Sequence, residues 1–245
     1  MNGPRTGFEN KVVLVTGVGR AGQIGNAVAL AFGHAGAKIV ACDRNAVGVA
    51  ERVREFAAHG VDARPCAGDL TQPDIAALAV EVALKHFGQL DVVVNVAGGL
   101  TTYGPIADLT VQGMDREVAI NLKTAVLVSQ AAIDALSRTR GCIINFSSIA
   151  YFAPQAPMAI YSAAKAAVAG FTRSLAVELE DRHIRVNAVA PAMVRTVDNV
   201  AAVGDREAQY VEMQEVTQGV MTLASPASTT TGQILPIAPP GSRAD

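Results

Sequence analysis

The chain reads as an α/β protein, a doubly wound parallel sheet of about seven strands with helices on both faces. Three observations predict it. Short β-branched runs alternate with longer Ala-rich stretches of helical spacing from one end of the chain to the other. The runs are apolar almost throughout, as strands buried on both faces are. Finally, a chain of 245 residues, half of them hydrophobic, can bury enough surface to cover such a sheet on both sides.

The elements follow in order. A strand at 11–16 ends in a Gly-rich turn that opens a helix at 24–34, and Gly33 and Gly36 stand at that helix's end, where a left-handed cap is wanted. A strand at 38–42 leads to a helix at 46–59, closed by Gly60. A strand at 62–66 leads to a helix at 73–87, closed by Gly88. The strand at 91–95 is followed by one long helix, 111–138, and the strand at 142–146 by another, 158–181. A strand at 185–189, a helix at 206–224 and a last strand at 233–237 complete the pattern. Each helix serves as a right-handed crossover between parallel strands. No linker, repeat or low-complexity segment interrupts the series, so one domain is expected over 1–245.

Composition narrows the function. The net charge is −2, with no Trp and few aromatics, so neither nucleic acid nor an anionic membrane surface is invited. Cys42, Cys66 and Cys142 are isolated in sequence and fit reduced, buried thiols. Residues 1–10 are polar and lack the apolar core of a secretory signal. No run reaches the roughly 18 apolar residues of a membrane span. A cytoplasmic protein is expected. The histidines, His34, His59, His86 and His183, never fall at metal-ligand spacing, and no metal is expected.

The first strand ends in Thr16-Gly17-Val18-Gly19-Arg20-Ala21-Gly22-Gln23-Ile24-Gly25. Glycines let a backbone turn tightly and approach a pyrophosphate, whose charge the following helix N-terminus can hold. An ordinary strand-to-helix turn is the bland alternative. Its position, after the first strand and at the start of a βαβ unit, favours a dinucleotide site. About 18 residues on, the second strand ends at Asp43. A carboxylate there accepts hydrogen bonds from both ribose hydroxyls and repels a 2′-phosphate, which favours NAD over NADP. Arg20 and Arg44 argue the other way with less weight.

Further on, Ser148 lies at the end of the fifth strand, and Tyr161 and Lys165 lie four apart on one helix face. An ammonium near a phenol favours phenolate and is expected to lower its pKa from about 10. Such a phenol can exchange a proton with an alcohol or carbonyl oxygen. Ser148 can hydrogen-bond the same oxygen as charge develops on it. The Tyr-x-x-x-Lys spacing is commonplace by itself. The serine ahead of it and the nucleotide turn give it meaning.

These residues, with Asp69-Leu70, Asn95-Val96-Ala97-Gly98, Asn121-Leu122, Pro191, Thr196 and Thr231-Gly232-Gln233, make the chain resemble the short-chain dehydrogenase/reductases over nearly its whole length. The resemblance implies a Rossmann-type fold and an enzyme acting on CH–OH groups with NAD(P). It implies a catalytic set of Ser148, Tyr161, Lys165 and Asn121, with Asn121 holding a water that relays protons to Lys165. It implies that Asp69 and Leu70 meet the adenine and that Asn95, Ala97 and Gly98 floor the cofactor site. Pro191, Val194 and Thr196 would bind the carboxamide. Gly17, Arg20, Gln23, Ile24, Asp43, Tyr161 and Lys165 complete the cofactor contacts. Taken outside the resemblance, Asp69 reads as a helix cap, Asn121 as a polar break and Pro191 as a turn former.

The chain departs from the family pattern in a glycine turn about two residues longer and a shorter substrate lid after Thr196. Val96 and Ala192 replace the usual Asn and Gly, and Ile237-Ala238-Pro239-Pro240-Gly241 replaces the usual C-terminal motif. The short lid predicts a more open pocket, lined by Leu100, Tyr103, Ile149, Tyr151, Ala156 and Met193. The leading function is interconversion of a secondary alcohol and a ketone with NAD(H). An NADPH-dependent 3-oxoacyl thioester reductase and a non-catalytic nucleotide sensor are the alternatives. Helices 111–138 and 158–181 are apolar beyond one stripe, which suits pairing with symmetry mates in a homodimer or homotetramer.

Overall fold

The computed structural model describes residues 7–204 and 210–239. Seven strands form one parallel sheet: β1 (Val12–Thr16), β2 (Lys38–Asp43), β3 (Ala63–Ala67), β4 (Val92–Asn95), β5 (Cys142–Phe146), β6 (Arg185–Pro191) and β7 (Ile234–Ile237). Their order is β3-β2-β1-β4-β5-β6-β7, so the winding reverses between β1 and β4. In such sheets the crevice for a ligand opens at that reversal, beyond the carboxyl ends of the strands. The predicted fold class is the one observed.

Alternate strand residues feed two cores. Val13 and Val15 pack on one face with Val28 and Phe32 of α1 (Ile24–His34), Val49 and Phe56 of α2 (Ala46–Ala58), and Val216 and Val220 of α8 (Met213–Ala224). Leu14, Val93 and Ile143 pack on the other with Ala79 of α3 (Pro73–Phe87), Val128 and Leu136 of α5 (Thr124–Thr139), and Leu175 of α6 (Ala159–Glu178). β1, β4 and β5 are buried at every position, which is why they read as continuous apolar runs. Each such Val, Leu or Ile contributes roughly 1.5–3 kcal/mol through burial. The two edge strands each carry a proline, Pro65 in β3 and Pro236 in β7, where a missing ladder donor does no harm.

Three elements differ from the sequence reading. The expected helix 111–138 is two helices, α4 (Val111–Val118) and α5, joined by a five-residue π turn at Ala119–Lys123 that contains Asn121. A π turn is a single-turn bulge within an otherwise α-helical run, and no residue type marks it in the sequence. The expected helix 206–224 starts instead at Met213; of its early part, 206–209 lies outside the described residues. Val211 bridges to Val194, and Glu212 and Glu215 form a reciprocal cap, so the chain is extended up to the cap. A seven-residue helix, α7 (Val197–Val203), forms in the short lid, where no helix was expected. Its cap is Thr196, whose Oγ1 accepts from the Asn199 N–H at 3.2 Å.

The cysteines isolated in sequence are not all isolated in space. Cys42 and Cys66 face each other in register on β2 and β3, both buried with free thiols. The run Val111–Thr139 is long and apolar enough to cross a membrane by length and composition alone, contrary to the count of consecutive apolar residues. In this structure its inner face packs on the sheet through Val128, Ala132 and Leu136.

Candidate active site

Loops after three adjacent strands meet at the reversal point. The turn after β1 touches the loop after β4: the Ala97 N–H donates to Thr16 Oγ1 at 2.9 Å. Gly25 opens α1 beneath that turn, and a Cβ there would lie 2.2 Å from the Gly17 carbonyl oxygen. The first turn of α1 has neither an acidic residue nor a side-chain cap on Gln23. An uncapped, acid-free helix start under a glycine turn leaves N–H groups for an anion, so these residues fit a dinucleotide pyrophosphate.

Asp43 ends β2 beside the turn. Its Oδ2 accepts from the Gly19 N–H at 2.8 Å and its Oδ1 from the Asn45 N–H at 2.9 Å. Both oxygens keep a lone pair for a ribose hydroxyl. Arg20 is turned away from Asp43 to pair with Asp198 on α7, and the Val197 N–H reaches the Gly22 carbonyl at 3.4 Å. The glycine turn and the segment after Thr196 are thus in direct contact.

The strand-end serine and the helix residues come together as the spacing predicts. Ser148 begins a 3₁₀ turn after β5, and its Oγ accepts from the Ala150 N–H at 3.2 Å, leaving its proton free to donate. Its side chain acts on the Tyr161 phenol, favouring loss of the phenolic proton. Lys165, one turn further along α6, is buried; its Nζ donates to the Phe146 carbonyl at 3.0 Å and stands 5.8 Å from the Tyr161 ring centroid. Ser147, missed in the sequence, pins the same helix by donating to the Lys165 carbonyl at 2.9 Å.

The protonation balance differs from expectation. Burial pushes the Tyr161 phenol above its ordinary 10.0, Ser148 works against that push, and the Glu117 carboxylate adds to it. Burial draws the Lys165 ammonium down to about 8, with Glu117 opposing. Desolvation of the phenol outweighs any help from the ammonium, so the expected lowering by Lys165 is not found here.

Asn121 is buried, and its carboxamide is bonded to protein at both ends. Oδ1 accepts from the Gly99 N–H at 3.0 Å, and Nδ2 donates to the carbonyls of Gly99 and Glu117 and to Glu117 Oε1, each at 3.0 Å. Its N–H groups are spent on protein, which leaves the second lone pair of Oδ1 as the side chain's remaining group for a water. Asn95 is corrected. Strand alternation turns its side chain away from the cofactor crevice, where Nδ2 donates to Asn145 Oδ1 at 2.9 Å and Ser129 Oγ at 3.1 Å. In the segment after it, the backbone of Val96 and Ala97 lies against the turn at Gly17, and Gly98 borders Asn121 and Lys165.

The remaining candidates are spread around this centre. Asp69 is exposed and caps its own turn, accepting from the Thr71 N–H at 2.9 Å, while Leu70 is buried in the α3 core. Pro191 ends β6. Val194 is bridged to Val211, and Thr196 caps α7. Leu100, Tyr103 and Met193 are exposed at the rim. Tyr103 lines a cavity of about 80 Å³ with Thr102, Ile106, Leu109, Pro157 and Ile160. Tyr151 does not belong to that lining. It stacks edge-on with Phe152, and its hydroxyl accepts from Arg173 at 3.1 Å, about three turns of α6 beyond Tyr161.

Glu117 went unnoticed in the sequence, although its place one turn before Asn121 on the same helix was a signal. It is fully buried. Its Oε2 accepts from the Thr101 N–H at 3.0 Å and from Thr101 Oγ1 at 2.5 Å.

The chain is similar to known proteins in sequence and in fold. The model of the short chain dehydrogenase family matches residues 11–207. A versicolorin reductase of Emericella nidulans is 36% identical over 190 residues, 77% of this chain and 71% of that protein. An uncharacterized oxidoreductase of Thermotoga maritima is 36% identical over 197 residues, 80% of this chain and 76% of that protein. Among solved structures, the 3-ketoacyl-(acyl-carrier-protein) reductase of Brucella melitensis, complexed with NADH, superposes with a TM-score of 0.88 at 28% identity, over 96% of this chain and all of that one. With the family's model matched from the first strand through the lid, this chain belongs to the short-chain dehydrogenases and is an oxidoreductase of that family.

Proposed function

We propose that the protein interconverts a secondary alcohol and a ketone by hydride transfer with NAD(H), all of the machinery lying in one unit over 1–245. The observation that carries this reading is the convergence of Ser148, Tyr161 and the buried Lys165, whose Nζ stands 5.8 Å from the Tyr161 ring centroid. The dinucleotide, when bound, supplies the hydride in the reducing direction and takes it up in the oxidising one. In the reducing direction Tyr161 hands its phenolic proton to the substrate oxygen while the Ser148 hydroxyl donates to the same atom. In the oxidising direction the Tyr161 phenolate takes the hydroxyl proton of the alcohol and becomes the phenol again. Lys165 places a positive charge beside the phenol and the cofactor ribose.

NAD is the cofactor this reading favours. Asp43 sits where a 2′-phosphate would be repelled, and of the two opposing cations Arg20 is paired with Asp198, while Arg44 is exposed next to Asp43. Gly17, Gln23, Ile24, Asp69, Leu70, Ala97, Gly98, Pro191, Val194 and Thr196 are proposed as its surroundings. A cytoplasmic homodimer or homotetramer is proposed with it, supported by the exposed apolar residues Val111, Met114 and Val177 on α4 and α6. The superposition on a 3-ketoacyl reductase favours one second reading, reduction of a 3-oxoacyl thioester.

The test is turnover with NADH and with NADPH over a panel of alcohols and ketones, including versicolorin and a 3-oxoacyl thioester, beside Tyr161→Phe. Wild type is expected to prefer NADH, and Tyr161→Phe to lose at least about 10²-fold in kcat while still binding NADH. Equal inertness of both proteins with NADH bound would remove the enzymatic reading in favour of nucleotide sensing.

A further inference from the structure

A carboxylate buried completely is costly unless its oxygens are satisfied and a positive charge faces it. Glu117 meets both conditions, and the groups that satisfy it are those of the active site. We propose that Glu117 is a positioning residue for hydride transfer: its carboxylate fixes the Asn121 carboxamide, anchors the loop at Thr101 and supplies the negative charge facing Tyr161 and Lys165. The proposal rests on the dehydrogenase reading above for its catalytic meaning.

The hydrogen-bond polarity makes the case. Oε1 accepts from Asn121 Nδ2, and Oε2 accepts twice from Thr101. Only a group that accepts on both sides completes this arrangement. A glutamine would set an NH₂ either against the Asn121 NH₂ or against the Thr101 N–H. Flipping Asn121 to relieve the first clash would break its pair of bonds to the Gly99 backbone. That same carboxamide borders Lys165: a Cβ built on Gly98 would lie 2.7 Å from Asn121 Oδ1 and 3.4 Å from Lys165 Nζ. Glu117 thus acts through Asn121 and through charge.

On α6, packed against this turn, the titratable groups that feel Glu117 are Tyr161 and Lys165, both held toward their protonated forms. The loop after β4 presents Thr101, which does not titrate. On Glu117's own segment Asp115, Arg116 and Lys123 are exposed, where solvent screens them.

The test is a carbon-13 NMR titration of the lysine ε-methylene groups, with Lys165 assigned from Lys165→Met, in wild type, Glu117→Gln, Glu117→Asp and Glu117→Val. The wild-type midpoint is expected at about 8. Glu117→Gln and Glu117→Val should lower it by about one pH unit, and Glu117→Asp should keep it near wild type. Turnover should fall about tenfold or more in Gln and Val and recover partly in Asp. A Lys165 midpoint unmoved in folded Gln or Val protein, or moved as far in Asp as in Gln, would overturn the proposal. Val repeats the test without the donor clash should Gln not fold. The titration needs no substrate, so a failure of the dehydrogenase reading would show as absent turnover and leave this measurement intact.

Discussion

Lys165 shows at the level of one residue what the site costs. Its ammonium is buried in the core of the catalytic helix, and its pKa falls from 10.5 to about 8. In the unfolded chain it would hold its proton up to about 10.5, so between these values the unfolded state binds more protons than the folded one. Stability from this group therefore rises with pH across that window, and below about 8 the whole cost of burial is present. Lys165→Met is expected to be inactive yet more stable at pH 7, by at most about 3 kcal/mol, the bond to the Phe146 carbonyl being lost in exchange. The gain should shrink between about pH 8 and 10.5, as read by urea unfolding at several pH values. A variant less stable than wild type at pH 7 would contradict this account. Tyr161 and Lys165 were legible because their spacing is local. Their protonation was not, because desolvation depends on what the rest of the fold places around them.

The glycine turn and the lid form one structural unit, though nearly 180 residues separate them in sequence. Gly22 has φ +68°, and a Cβ there would come within 2.5 Å of Val197 Cγ2 on α7. Tyr210 steadies the far side of the lid, its hydroxyl 3.0 Å from the Gly204 carbonyl and 3.3 Å from that of Asn199. Gly22→Ala combines backbone strain with a clash and is expected to cost about 1–3 kcal/mol. Val197→Ala should remove the clash while leaving the strain. The double variant should therefore be more stable than the sum of the two single changes by about 0.5 kcal/mol or more, measured by denaturant unfolding. Strict additivity would mean the lid does not rest on the turn. The glycine turn and the segment after Thr196 were both visible in the sequence as separate features. Their contact was not, since nothing local links Arg20 to Asp198. A seven-residue helix such as α7 is also too short to show a periodicity.

Across the whole molecule, the reversal of strand order between β1 and β4 puts the glycine turn, the loop holding Thr101 and the Ser148 turn together beyond the carboxyl ends of the central strands. The opposite flank carries α5 and α6, with a groove lined by Gln130, Ile133, Asp134, Glu178, Leu179 and Arg182. Val177, 75% exposed on α6, lies next to Glu178 of that groove. Pairing through this flank predicts a dimer or tetramer by light scattering at micromolar concentration, and Val177→Glu should shift it toward monomer. A wild-type monomer would refute the pairing.

The sequence by itself determined the layered parallel sheet, because strands buried on both faces must be apolar along their length. It also made the glycine turn, Asp43, Ser148, Tyr161 and Lys165 legible as candidates, each a residue type at a strand end or at a fixed spacing on one helix. Only the tertiary structure decided what depends on distant segments meeting. Asn95 turned into the core, Asn121 gave its side chain to Glu117 and Gly99, and burial reversed the expected shift of Tyr161. The physical reason is the same in each case. Hydrogen-bond partners and desolvation belong to the packed assembly, and no spacing along the chain encodes them.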